Sequence, residues 1–306
     1  MKKLFLICLC AIGLHRFAAW WNRKRVIILC YHGVTDNSNR YPHNTVGQDI
    51  HRDAFAAHLD YLSSRYRIIS LDDYLTACRT GATLPDYSVV LTFDDGCRNI
   101  ATVAASLLAQ RDIPYTVFVI TDTLSASEVA GPSGAPAESD DARYLSWTEA
   151  RELERTSLVK FESHTCSHPD LLCVSAEQVA RELVSSREAI RANLGRESRI
   201  LAYPYGHFSE KVTAQAKDAG YLSAITIEDG PNDTHSDLHT LRRMVISNQD
   251  QGLLFAARVS GLIWWLSLIR IKFLRVAHVF GLLFHGEPGM RIEQSKVSNH
   301  EDVISS

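Results

Sequence analysis

The chain has 306 residues, a formal net charge of −3 and a hydrophobic fraction of 46%. That length accommodates one large α/β domain with appendages, or two small domains, and the lack of a basic excess excludes a general nucleic-acid-binding role. Seven cysteines, odd in number and without a framework spacing, fit free thiols in a reducing compartment rather than a disulfide-stapled secreted domain.

Residues 1–25 open with Lys2 and Lys3, then an apolar run from Leu4 to Leu14, then Trp20-Trp21 followed by Arg23, Lys24 and Arg25. The run falls short of the ~20 residues a spanning helix needs. A signal peptide has this basic start and short apolar middle, but no small-x-small cleavage site follows. The tryptophans and flanking charges favour an interfacial anchor. Val26 to Tyr31 reads as a buried strand ending in Tyr31-His32-Gly33-Val34. Phe55, Leu59 and Leu62 keep helical spacing, Arg67 to Leu71 is a short strand, and Asp72 to Cys78 a short helix capped by its carboxylates.

Ser88 to Phe93 is an apolar, β-branched run of the kind buried in a parallel sheet, and it ends in Asp94-Asp95-Gly96. Neighbouring side chains of a strand point to opposite faces, so both aspartates serve one site only if the strand stops there, which Gly96 allows. Two adjacent anions repel unless a cation or shared proton separates them. A helix follows over Ile100, Val103, Leu107 and Leu108, then a strand from Pro114 to Ile120. Thr121 to Tyr144, with its acidic knot of Glu138, Asp140 and Asp141, reads as a loop insertion over the site. Ser146 with Glu149 makes a capping box. The strand Leu158 to Phe161 runs into His164-Thr165-Cys166-Ser167-His168-Pro169, and Pro169 keeps this histidine pair off a helix.

An amphipathic helix spans Glu177 to Leu194, and the strand Arg199 to Tyr203 ends in Pro204-Tyr205-Gly206. Helix Val212 to Ala219 and strands Leu222 to Ile227 and Leu241 to Ser247 complete a pattern of seven or eight strands alternating with helices, a parallel α/β sheet or barrel. The polar clusters all lie at carboxyl ends of strands, where such folds place their sites. From Gly252 to Phe284 leucines and Trp264-Trp265 alternate with arginine and lysine. Two readings stand: helices lying in a membrane interface, or helices packed back on the barrel. The tail after Glu287 reads as disordered. The resulting division is 1–25, an apolar anchor or signal-like segment; 26–250, the catalytic domain; 251–285, amphipathic helices; and 286–306, a polar tail.

Asp95, His164 and His168 together make a two-histidine, one-carboxylate set with room for water, the arrangement of a catalytic metal. Zinc suits these donors, with cobalt, nickel and iron left open. The metal would acidify its water and polarise a carbonyl, and Asp94, spared from coordination, is placed as general base.

Thr92-Phe93-Asp94-Asp95-Gly96, His164-x-x-x-His168 and Tyr203-Pro204-Tyr205-Gly206 resemble the signature motifs of the polysaccharide deacetylase family, the NodB-homology or carbohydrate esterase family 4 domain, over roughly Val26 to Ser247. The resemblance implies a distorted (β/α) barrel that removes N-acetyl groups from amino sugars by metal-activated water. By the same likeness Asp94 is the base, Asp95, His164 and His168 hold a divalent metal, foremost Zn²⁺, and the Tyr205 N–H helps hold the oxyanion. Tyr203, Pro204 and Trp147 are the expected substrate contacts. Two departures stand out. The arginine that many members place before the proline motif is replaced by Ala202 and Tyr203, and Arg242 or Arg243 is the candidate substitute. The general acid falls to His32, whose Tyr-His motif resembles that of biofilm poly-N-acetylglucosamine deacetylases, ahead of His285 in Leu282-Leu283-Phe284-His285. The expected substrate is an N-acetylated glycan or glycolipid, handled at a membrane surface and on its cytoplasmic face in preference to the outer one. The rival readings are a deacetylase or deformylase of a lipid-linked sugar and a carbohydrate-binding pseudoenzyme.

Overall fold

A computed structural model of the protein describes residues 2–36, 49–130 and 144–279. Two helices, α1 (Lys2–Ala11) and α2 (Leu14–Trp21), lead into β1 (Ile27–Tyr31), and short strands β2 (Val34–Thr35) and β3 (Ile50–His51) pair on their own. The chain continues through α3 (Arg52–Arg65), β4 (Arg67–Ile68), α4 (Leu71–Thr80) and β5 (Ser88–Phe93). A π-helical turn, Ile100–Ala104, runs into α5 (Ala105–Ala109), followed by β6 (Tyr115–Val119), α6 (Thr121–Ala130), α7 (Trp147–Glu154) and β7 (Val159–Ser163). Then come α8 (Ala176–Leu194), β8 (Ile200–Ala202), α9 (Glu210–Asp218), β9 (Ser223–Ile225), β10 (Met244–Val245), α10 (Leu253–Val259) and α11 (Leu262–Val279).

The main sheet has the order β10-β1-β5-β6-β7-β8-β9, with β4 beside β5, and all its ladders are parallel. Parallel pairing with helical crossovers is what the alternating sequence pattern demands. The ring closes through one short segment: Leu241 bridges Ile225, and three residues later Met244 pairs with Leu29. Side-chain alternation then sorts the core. Leu29, Tyr31, Leu91 and Phe93 face the helical layer, whereas Ile28, Val90, Phe118, Ile200, Ile225 and Leu241 fill the barrel interior. The site is built on the interior parity.

Most elements fall where the pattern places them, and Ser88–Phe93 does so residue for residue. Two local readings change. The cap of α4 is Ser70, whose hydroxyl accepts the Asp73 N–H while Asp73 returns the bond, so one carboxylate completes a box rather than capping alone. The stretch read as a loop from Thr121 begins with a ten-residue helix. Tertiary bonds hold that helix: Trp147 Nε1 donates to Ser125 and the Thr148 hydroxyl to Glu128. The acidic knot of Glu138, Asp140 and Asp141, the His285 motif and the polar tail lie outside the described residues. Finally, α10 packs back on the barrel, with Phe255 stacked on His58 at 3.6 Å, whereas α11 packs against α2.

Candidate active site

Asp94 follows Val90 and Thr92 on the inward parity of β5, so its carboxylate points into the barrel mouth, where it is 2% exposed. Asp95 would by parity point outward. Its backbone instead turns left-handed, with φ 68°, followed by Gly96 at 73°, and this reversal returns Asp95 to the same mouth. The reversal thus begins one residue before the glycine. Thr165, His168 and Tyr205 are also left-handed, with φ of 67°, 60° and 57°. Non-glycine residues held this way cost about 1–3 kcal/mol each and cluster at functional sites.

His164 stands at the end of β7 and is 3% exposed. Its Nδ1–H donates to the Ala202 carbonyl at 2.9 Å, which orients the ring so that Nε2 faces the site. That Nε2 lies 3.1 Å from His168 Nε2 and 3.7 Å from Asp95 Oδ1, and His168 Nε2 is 4.0 Å from Asp95 Oδ1. Burial, reinforced by neighbouring His164, pushes the His168 imidazole well down, so it presents a neutral lone pair. Ligands held at ~2.0–2.2 Å around a tetrahedral ion sit about 3.3–3.5 Å apart. Two imidazole nitrogens and a carboxylate on a triangle of these sides fit a divalent cation, and the structure brings together all three residues expected to hold it.

Asp94 stays out of that triangle, 3.8 Å from His164 Nε2. Both of its oxygens are taken by Arg243, with Nη1 and Nη2 each donating at 2.6 Å. Arg243 is wholly buried, lies over the Phe118 ring, and also donates from Nε to the Thr226 carbonyl. Burial alone would push the Asp94 carboxyl up, but the Arg243 guanidinium, helped by His164, holds it well below the usual carboxylate range. The charge missing before the proline motif is therefore supplied from the segment that closes the barrel. Arg242, the other candidate, faces outward beside Glu228 at 3.8 Å.

Cys30 is a contact that the sequence reading missed. Its thiol, fully buried and pushed up by that burial, stays protonated and lies 3.4 Å from Asp94 Oδ2 as a donor. The available signal was parity, since Cys30 shares the inward face with Ile28 and pairs in register with Thr92. Cys30, His32 and Asp94 also form a compact donor cluster. The Arg243 guanidinium already occupies both Asp94 oxygens, which leaves that cluster unsuited to a cation. His32 is half-buried at the mouth, and its Nδ1 has no hydrogen-bond partner among the described residues.

The remaining expected contacts divide. The Tyr205 ring is 53% exposed and packs edge-on to His168 at 4.7 Å, so this residue stands at the site. Gly206 beside it has φ 69°, and a Cβ there would come within 2.7 Å of the Ile227 backbone nitrogen. Tyr203 and Trp147 do not reach the mouth. Tyr203 is buried among Leu183, Val212 and Tyr221, its hydroxyl donating to the His239 carbonyl, and Trp147 is buried with Nε1 on Ser125. Pro204 is buried as the first residue of the turn that presents Tyr205. The large apolar side chains here pack the core instead of lining the site.

This parallel α/β barrel is similar in fold to solved deacetylases, and part of the chain matches the polysaccharide deacetylase family. The family's sequence model matches residues 81–224, a stretch that leaves out both His32 and Arg243. The chain is similar to the poly-β-1,6-N-acetyl-D-glucosamine N-deacetylase of Escherichia coli (strain K12), with 24% identity over 78% of this chain and 39% of that protein. It is also similar to the chitooligosaccharide deacetylase of Sinorhizobium fredii, 32% identical over 53% of this chain and 66% of the relative. Both matches thus span less than two thirds of the relative's length. In three dimensions it superposes on the Streptococcus pyogenes deacetylase PplD with a TM-score of 0.67 at 22% identity, covering 77% of this chain and 98% of that one.

Proposed function

We propose that the protein is a divalent-metal-dependent N-deacetylase that releases acetate from amino sugars of an N-acetylated glycan. The observation that carries this reading is the division of labour between adjacent aspartates. Asp95 joins His164 and His168, while Asp94 is clamped by Arg243 beside them. A divalent cation held by the triad, with zinc the best match to its donors, would supply Lewis-acid polarisation and a more acidic water. Asp94, ionised at every working pH because of Arg243, receives a proton from the attacking water. Its low basicity is the cost of being always ready. His32 returns a proton to the departing amine, and the Tyr205 N–H supports the developing oxyanion. The names of the E. coli and S. fredii relatives support a glycan N-acetyl substrate. The pseudoenzyme reading rested on an absent arginine, and Arg243 takes that place.

The test is metal content and acetate release measured on one preparation, wild type beside Asp95→Ala, with an N-acetylglucosamine oligomer as substrate. Near-stoichiometric metal and acetate release in the wild type, both lost in the variant, are expected. A metal-free wild type, or a variant that turns over without metal, would overturn the reading. For the acid, His32→Gln is expected to lower acetate release by roughly 10²–10⁴-fold with metal content unchanged. An unchanged rate would assign the proton to another group.

A further inference from the structure

The apolar segments at the two ends of the chain are separated by the whole barrel in sequence, yet they pack together. Each is a bent pair of helices: α1 and α2 meet at 78°, and α10 and α11 at 69°. The corners are made by Gly13 and Gly261, with φ of 86° and 77°. Among the described residues no single helix is long and apolar enough to cross a membrane. The two pairs interlock. Cys10, Ala18, Ala257 and Leu262 form a small core of their own. Asn22, just after α2, donates its Nδ2–H to the Ser260 carbonyl at 2.9 Å, fastening one pair to the other's corner.

This shared core leaves large apolar side chains outside. Leu4, Phe5, Ile12, Phe17, Trp20 and Trp21 are exposed, Ile12 to 79%. Phe17 touches Trp20, Trp21 and Trp265 with ring centroids 5.7, 6.3 and 6.1 Å away, so an aromatic cluster spans both chain ends. Arg23 lies over the Trp20 ring at 4.7 Å. Residues 2–25 and 251–279 contain no aspartate or glutamate, and Lys3, Arg16, Arg270 and Lys272 are exposed. Tryptophan and basic residues around an apolar face, on segments that carry no acidic residue and with Asp86 paired to Arg23 and Lys24 at the edge, complement the interface of an anionic bilayer, where apolar burial and lysine or arginine attraction add.

The attachment points give the orientation. The Arg23 carbonyl accepts the Tyr87 N–H just before β5, and Lys24 pairs with Asp86, so α2 joins the barrel at the amino ends of β1 and β5. The Asp95, His164 and His168 cluster is at the carboxyl ends. We infer that both chain ends form one monotopic platform that seats the domain on an anionic lipid surface, with the catalytic mouth facing away from the lipid. The orientation rests on the deacetylase reading of that mouth; the lipid contact does not.

Flotation of the full-length chain with phosphatidylcholine vesicles, with and without phosphatidylglycerol, tests it. Binding to the anionic vesicles, weakened by salt, is expected. The charge-reversal double variant Arg16→Glu/Arg270→Glu should weaken it about tenfold or more, and Trp20→Ser/Trp21→Ser should also release the protein. Vesicle-bound enzyme should deacetylate a soluble N-acetylglucosamine oligomer as fast as free enzyme does. Equal binding to neutral vesicles, or flotation indifferent to both double variants, overturns the platform. So does a dimer in sedimentation that Trp20→Ser/Trp21→Ser dissociates, because a second copy would then cover the face. A bound enzyme that loses the soluble substrate overturns the orientation. Flotation is read without turnover, so an inactive protein that still floats refutes the deacetylase reading alone.

Discussion

Asp94→Asn is expected to abolish acetate release while leaving the metal bound. The variant keeps the shape of the side chain and the proposed ligands Asp95, His164 and His168, but it removes the carboxylate that Arg243 holds ionised beside them. Loss of a positioned base costs roughly 10²–10⁴-fold, and here the neutral amide also turns an N–H₂ towards a guanidinium that only donates. Metal content and acetate release on the same sample check the outcome. Retention of most of the activity would remove Asp94 from the base role, and loss of the metal together with activity would place it among the ligands.

Arg243→Met should be the most destabilising substitution in the site. Both partners of the pair are buried, Arg243 completely. Removing one partner strands a buried charge, at a cost of about 3–5 kcal/mol, which corresponds to a fall of roughly 10 °C in Tm for a domain of this size. Arg243→Lys keeps a charge but not the two-pronged grip, so partial recovery is expected. The pH dependence has a definite sign. The folded Asp94 carboxyl titrates below the ordinary carboxylate range. The pair's contribution is therefore complete above that range and lost as pH falls through the folded value. In Arg243→Met the unpartnered carboxyl moves up and takes a proton, so the gap to wild type should narrow on acidification. Thermal melts across acid and neutral pH measure it, and a gap that widens in acid would contradict the pairing.

The same pair explains how the barrel closure serves the chemistry. Arg243 stands between Leu241, which bridges Ile225, and Met244, which pairs with Leu29. Closing the ring and orienting the Asp94 carboxylate are thus one structural event. Cys30 on the neighbouring strand adds a third donor to the same carboxylate, so Asp94 has little freedom to turn towards the proposed cation site and compete with Asp95.

The sequence by itself determined the elements and singled out the candidate cation trio Asp95, His164 and His168, because the strand end and the histidine pair are written in short-range patterns. An apolar β-branched run followed by Asp94-Asp95-Gly96 specifies a buried strand and its end. Ser146 and Glu149 meet as a capping box within one helical turn. His164 and His168 are brought together by a single left-handed loop. Tertiary structure decided whatever depends on which distant segments become neighbours. Arg243 reaches Asp94 across 149 residues only because the ring closes. The choice between Arg242 and Arg243 follows from strand parity at the closure, one facing Glu228 outside and the other the interior. Tyr203 and Trp147 share the polar-aromatic character of sugar contacts, but whether an aromatic ring faces a cleft or fills a core depends on the layers stacked against it. The helices at the two chain ends likewise look independent until Asn22 and Ser260 meet. Local periodicity and capping act over a few residues and leave their mark in sequence order, whereas side-chain juxtaposition across a closed sheet is set by packing and register.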